Sequence, residues 1–301
     1  VIMAQSGDDM HKKANDIHTR VLTLDTHTDT PMLFFEDSSI DLGKRNGNTK
    51  VDFVKMQEGG LDAVFFAVYL EQGPRDGAGH TKAVNKALAT FKSIEEHVNK
   101  YPDKAGIISN PLDAYKLKKE GKKAVFIGVE NGYAIGTDLA NLYKFKEKGA
   151  TYMTLSHTKN NNICDSSTDK PEHNGLSEFG IRVVKELNRL GIIIDVSHTS
   201  DKTVRDVIRY SKAPVIASHS NAKSLCDIPR NLNDNMIKQI AKTGGVVQVC
   251  FVSRFVKPLS SGRATVADLV DHIDYIVRLV GIDYVGIGSD FDGGGNLNGC
   301  S

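Results

Sequence analysis

The chain has 301 residues, 40% hydrophobic and 25% charged, enough apolar side chain for one large domain or two ordinary ones. Lys and Arg number 38 against 37 Asp and Glu, so no general attraction to nucleic acid or to an acidic membrane surface is expected. No apolar run reaches the roughly 18 residues of a membrane span, and the four cysteines lack the C-x₂-C spacing of a thiolate zinc site, leaving free thiols or disulfides open.

The opening Val1-Ile2-Met3-Ala4-Gln5-Ser6 reads as the tail of a trimmed leader or as an added remnant, assigned to residues 1–10. A leader implies an exported protein, and a remnant implies a cytoplasmic one. Residues 11–301 are then expected to form a single domain. Eight β-branched or apolar runs follow, at residues 21–27, 61–68, 124–130, 151–157, 192–198, 215–219, 246–250 and 284–290. Near-continuous apolar runs suit parallel strands buried on both faces.

Helical patterns fill the gaps. Val84, Leu88, Phe91 and Val98 share one face, as do Phe179, Val183, Leu187 and Leu190. Val266, Leu269, Val270, Ile273, Ile276, Val277 and Val280 form the cleanest stripe, and Thr265 with Asp268 resembles a capping box at its start. Ser200 is a plausible N-cap. Polar stretches at 41–49, 72–80 and 160–175 read as loops. Eightfold strand–helix alternation predicts an α/β fold, a (β/α)₈ TIM barrel. A doubly wound open sheet is the alternative, weakened because no G-x-G-x-x-G follows an early strand.

Barrel active sites form at the C-terminal tips of the strands. Six of the runs end in His27-Thr28-Asp29, Glu130, His157, His198, His219 and Asp290. One such residue means little, since a lone His is more often structural and an Asp after a strand is often a cap. In Asp25-Thr26-His27-Thr28-Asp29, alternation puts His27 and Asp29 on one side, with Asp25 sharing their parity from deeper in the barrel. Imidazole and carboxylate together suit zinc or a similar ion. His27 and Asp29 would hold one metal and His198 and His219 a second. Glu130 would bridge ions about 3.5–4 Å apart and favour a bridging hydroxide as nucleophile.

The stretches Leu24-Asp25-Thr26-His27-Thr28-Asp29, Gly128-Val129-Glu130-Asn131, Leu155-Ser156-His157, Asp195-Val196-Ser197-His198, Ala217-Ser218-His219-Ser220, Pro229-Arg230-Asn231 and Gly288-Ser289-Asp290-Phe291-Asp292-Gly293 resemble, in this order, the membrane (renal) dipeptidases, zinc peptidases built on a barrel. The resemblance implies the same ligand set, with Glu130 bridging two divalent ions, expected to be zinc. It also implies contact of His157 with the polarised scissile group and its oxyanion, Arg230 on the substrate carboxylate, and Asp290 as the acid/base that protonates the leaving amine. Asp290 alone could instead be a turn or cap, or exchange roles with Asp292, and Arg230 alone could be a surface ion pair. The resemblance further implies dipeptide substrates and a homodimer.

Animal members carry a Trp in the second strand where this chain has Asp62–Tyr69, so substrate preference does not carry over. The family continues through a last helix after the eighth strand, and that helix is expected to be missing from this chain. Apolar surface is therefore expected beside that strand. Three rivals remain: another binuclear amidohydrolase of cyclic amides, lactams or phosphotriesters, often with a modified lysine at the fourth strand; a non-catalytic metal-binding barrel; and a metal-free sugar-processing barrel with paired carboxylates.

Overall fold

The computed structural model describes residues 2–300, with side-chain surroundings from residue 9 onward. The boundary expected after residue 10 falls inside one continuous helix, Ile2–Arg20. Among the described residues there are nine strands: β1 (Leu24–Thr28), β2 (Ala63–Tyr69), β3 (Ala105–Ile107), β4 (Lys123–Glu130), β5 (Ala150–Thr154), β6 (Ile193–Asp195), β7 (Val215–Ile216), β8 (Val247–Val249) and β9 (Val285–Ile287). The helices, in chain order, are α1 (Ile2–Arg20), α2 (Thr30–Glu36), α3 (Phe53–Glu58), α4 (Gly77–Asn99), α5 (Pro111–Lys119), α6 (Ala140–Glu147), α7 (Glu178–Leu190), α8 (Asp201–Tyr210), α9 (Asp234–Lys242), α10 (Ser253–Val256) and α11 (Val266–Val280).

Strands β1, β2, β4, β5, β6 and β7 run side by side in parallel, and β8 pairs with β9. Bridges Ala217–Val247 and Thr28–Phe291 join these two sets. The amide of Asp29 reaches the carbonyl of Phe291 at 2.8 Å, so the sheet closes into the expected barrel. The eight barrel strands fall on the eight expected runs. β3 is an addition. It pairs with Lys123–Val125 at the base of β4, while β5 joins β4 only from Ile127 upward. Its three residues are too few to show a pattern in sequence.

Period-two alternation sorts the strand residues into two layers. Val64, Phe66, Val68, Val125, Ile127 and Val129 pack outward with the helices. Phe65, Phe126 and Tyr152 fill the barrel, the rings stacking at 4.8 and 5.0 Å. Gly128 makes room for this stack, since a Cβ there would lie 2.1 Å from the Tyr152 ring.

Helix starts follow local chemistry. Ser200 caps α8 by accepting from Thr203 N, and Thr265 with Asp268 forms a reciprocal capping box on α11. On α4 the buried face is Ala83, Ala87, Phe91, Ile94 and Val98, so the expected stripe is rotated toward its alanines, which let the helix approach the sheet closely. On α11, Leu269, His272 and Ile276 are buried, while Val266 and Val270 are exposed at 42% and 50%. β9 beside them is only half-buried, and no helix follows it among the described residues. All four cysteines are free thiols. No described helix is long and apolar enough to cross a membrane.

Candidate metal centre and active site

The residues expected at the barrel mouth are brought together there. Glu130 is the last residue of β4, as expected. His157, His198, His219 and Asp290 stand just past strands that end at Thr154, Asp195, Ile216 and Ile287, rather than closing them. Side chains end the ladders early. Asp195 Oδ1 accepts the amides of Ser197 and Ser218 at 3.0 and 2.8 Å, and Ser197 Oγ accepts the amide of His219 at 3.1 Å. Asp25 Oδ1 does the same for His27 and Ser289, at 3.1 and 2.9 Å. The freed backbone then turns sharply. His198 and Asp290 adopt left-handed conformations, φ 67° and 60°, which cost a non-glycine residue about 1–2 kcal/mol each.

His27 and Asp29 also meet, at 3.4 Å between Nε2 and Oδ2. Simple alternation is not the reason. β1 shifts register between Asp25 and Thr28, and Asp29 lies outside the strand as the residue before α2, with φ −94° and ψ 17°. The bulge turns His27 inward while the helix entry turns Asp29 back over it. Asp25 supports this from behind, and burial raises its pKa to about 6.

Glu130 sits at the centre. Its Oε2 is 3.4 Å from His27 Nε2, and its Oε1 is 3.1 and 3.4 Å from the Nε2 atoms of His198 and His219. One carboxylate thus presents an oxygen to each half of the expected ligand set. Donor atoms of His27, Glu130 and His219, of Glu130, His157 and His198, and of His27, Asp29 and Asp290 lie within 4.8 Å of one another in each trio. His27 Nε2 and Asp29 Oδ1 are buried without a hydrogen-bond partner. Burial, then the nearby Arg230 charge and neighbouring imidazoles, holds His198 and His219 well below the usual imidazole range. Both rings are therefore neutral and offer lone pairs. Burial pushes Glu130 up, but the surrounding imidazoles outweigh it and keep the group ionised. Imidazoles and carboxylates converging with unpaired atoms fit a divalent cation.

A cavity of about 540 Å³ opens over this cluster. Arg230 lines it and is 5% exposed, which excludes the surface ion-pair reading. Its terminal nitrogens donate to Ser220 Oγ and the His219 carbonyl, both at 2.8 Å, while its buried Nε has no partner. His157 lines the wall, 4.9 Å edge-on from Tyr69, with burial lowering its pKa toward the neutral ring. Asp290 also faces the cavity, and burial, then the Asp29 carboxylate, drives its pKa well above the usual range. Asp292 instead accepts from the Thr30 hydroxyl and the Lys50 amide and so anchors loops. Gly293 packs close to the site, since a Cβ there would lie 1.9 Å from Asp29 Oδ2 and would require that carboxylate to shift.

Sequence reasoning assigned no role to Tyr152, whose hydroxyl lies 2.7 Å from His27 Nδ1, or to Cys250, whose Sγ lies 3.7 Å from Asp290 Oδ2. Strand parity could have placed Tyr152 inside the barrel. Its contact with a residue 125 positions away could not be read.

The membrane dipeptidase family, peptidase family M19, matches residues 11–299. A protein of Schizosaccharomyces pombe described as an uncharacterized dipeptidase is 35% identical over 92% of this chain and 70% of its own length. The crystal structure of the probable dipeptidase PvdM from Pseudomonas aeruginosa superposes with a TM-score of 0.85 at 28% identity, covering 96% of this chain and 88% of that one. A metallopeptidase from Rhodobacter sphaeroides, liganded with a phosphinate mimic of the dipeptide L-Ala-D-Ala, gives 0.84 at 25% identity, covering 93% and 88%. With this barrel, this ligand cluster and a match along nearly its whole length, the chain belongs to the membrane dipeptidase family and is a metallo-dipeptidase.

Proposed function

We propose that the protein hydrolyses dipeptides with two divalent cations, zinc by the chemistry of the donor set, one held by His27, Asp29 and Glu130 and the other by Glu130, His198 and His219. The observation that carries this reading is the split carboxylate of Glu130, one oxygen toward each pair of ligands. Ions held there would supply a bound water acidified to a pKa of about 7 and would polarise the scissile carbonyl.

The chain's own groups do the rest. The unpaired Nε of Arg230 and its adjacent terminal nitrogen offer a planar fork to the substrate's terminal carboxylate. That anchor orients a short substrate and limits its length. His157, kept neutral, donates to the oxygen that gains charge as the carbonyl is attacked. Asp290, buried beside Asp29, holds a proton and passes it to the leaving amine. Binding of a dipeptide mimic by the Rhodobacter sphaeroides relative supports the substrate class. The amidohydrolase rival with a bridging modified lysine is disfavoured, because no lysine lines the cavity among the described residues.

A substrate panel tests the reading. Free dipeptides should turn over, and tripeptides and C-terminally amidated dipeptides should not. Comparable rates on amidated dipeptides would remove Arg230 from its role, and no turnover of any dipeptide would sink the proposal.

A further inference from the structure

Behind the metal-binding face lies a buried polar chain. Ser218 Oγ is 2.6 Å from Asp195 Oδ2 and 2.7 Å from His219 Nδ1. Asp195 and Ser218 are fully buried. Every hydrogen-bond partner of Asp195 is a donor: the amides of Ser197 and Ser218 and the hydroxyls of Thr154 and Ser218. A carboxylate so surrounded only accepts. Ser218 has a single hydroxyl proton, and it goes to Asp195. The contact with His219 then works only if the imidazole donates, so Nδ1 carries the ring proton and Nε2 carries the lone pair. Nε2 is the atom that faces Glu130 Oε1 and His198 Nε2, at 3.4 and 2.9 Å.

We infer that Asp195 and Ser218 are positioning residues that fix the tautomer and orientation of His219, so that Nε2 points into the cation site as a lone-pair donor. Groups of this kind behind a histidine ligand orient it and raise its basicity, and their loss typically costs 10–100-fold in metal affinity. Here the serine hydroxyl links the carboxylate to the ring. The direction of the chain is set at the carboxylate end, because ionised Asp195 has no proton to give and Ser218 Oγ, 2.6 Å from Asp195 Oδ2, must therefore donate to it.

The relay stands on the hydrogen bonds of Asp195, Ser218 and His219. Only the affinity measurement rests on the metal-centre reading above. Long-range proton–nitrogen NMR of the metal-free protein, with His219 assigned by its loss in His219→Gln, should show the proton on Nδ1. A parent protein with the His219 proton on Nε2 overturns the inference whatever any variant does.

Asp195→Asn is the sharper probe. Its amide would donate to Ser218, whose proton would then turn to His219 Nδ1 and drive the ring proton onto Nε2. Zinc affinity, read by competition with a chromogenic chelator, should fall about 10–100-fold in Asp195→Asn and Ser218→Ala, and hold in Ser218→Thr, which keeps the hydroxyl. Parental tautomer and affinity in Asp195→Asn would refute the relay. If Asp195→Asn fails to fold, the parent spectrum and Ser218→Ala decide. If the parent binds no zinc, the metal reading fails while the tautomer measurement still decides the relay.

Discussion

His198 and His219 face each other with their Nε2 atoms 2.9 Å apart, and Glu130 Oε1 lies 3.1 and 3.4 Å from the same two atoms. Two neutral nitrogens and an ionised oxygen at these distances repel unless a cation, or at best one shared proton, sits among them. Metal analysis of the purified protein should give about two equivalents of a divalent ion, as in other paired-ion sites. Ions bound only to the folded state add about 2.7 kcal/mol at a hundredfold excess over Kd, so a chelator should lower Tm measurably. Glu130→Gln should lose metal and most activity. Full metal content in that variant would remove Glu130 from the bridge.

Arg230 donates from its two terminal nitrogens to Ser220 Oγ and the His219 carbonyl, and its buried Nε has no partner. Replacing it with Gln should raise KM for dipeptides far more than it changes metal content. Losing a charge-assisted fork costs about 1.5–3 kcal/mol, roughly 10- to 100-fold. Arg230→Lys should recover little, because an ammonium cannot reproduce the planar pair of donors. An unchanged KM in Arg230→Gln would place the substrate carboxylate elsewhere.

Much of this site was legible in sequence because a barrel gathers its strand tips at one end. His27, Asp29, Glu130, His157, His198, His219, Arg230 and Asp290 all reach the same mouth. Less legible was how they arrive. The strands stop early because Asp25 and Asp195 capture amides that a ladder would use, and His27 turns inward through a register shift. Neither event leaves a mark in hydrophobic periodicity. Tyr152 and Ser218 look like ordinary members of their apolar runs, and only the contacts of Tyr152 with His27 and of Ser218 with Asp195 and His219 give them meaning.

Gly293 is a close-approach position beside the site. A methyl there would collide with Asp29 Oδ2 at 1.9 Å and with Asp290 Oδ1 at 2.4 Å. Gly293→Ala should therefore weaken metal binding and activity together, with Tm of the chelated protein falling much less. Parental metal affinity in Gly293→Ala would show that the turn relaxes without moving Asp29.

Asp290 is the group whose role divides chemistry from binding. Its carboxyl, raised by burial and by Asp29, is suited to keep a proton that an ordinary aspartate would lose. Asp290→Asn should retain both ions and slow kcat by about 10²–10⁴, the usual share of general acid–base catalysis. A variant as fast as the parent would end the proton-transfer assignment. Loss of one metal equivalent would instead make Asp290 a ligand beside His27 and Asp29, the third trio in the cluster.

Stability away from the site should show its own pH signature. The Lys257 ammonium, then the Thr265 amide and hydroxyl, lower the pKa of Asp268 from 3.8 to about 2. A depressed folded pKa means that the stabilisation is complete above the unfolded value, near pH 4, and fades as pH falls through about 2. The Asp268 and Lys257 side chains remain 30% and 24% exposed, so solvent screening trims the contribution to about 1 kcal/mol. Asp268→Asn should thus be about 1 kcal/mol less stable than the parent at pH 7 in urea unfolding of the chelated protein. The gap should narrow at pH 3, because the parent begins to lose what the variant never had. Thr265→Ala removes the other half of the capping box and should cost about 1 kcal/mol at both pH values. A gap between Asp268→Asn and the parent that stays constant or widens toward pH 3 would mean that the ion pair and cap do not stabilise this helix.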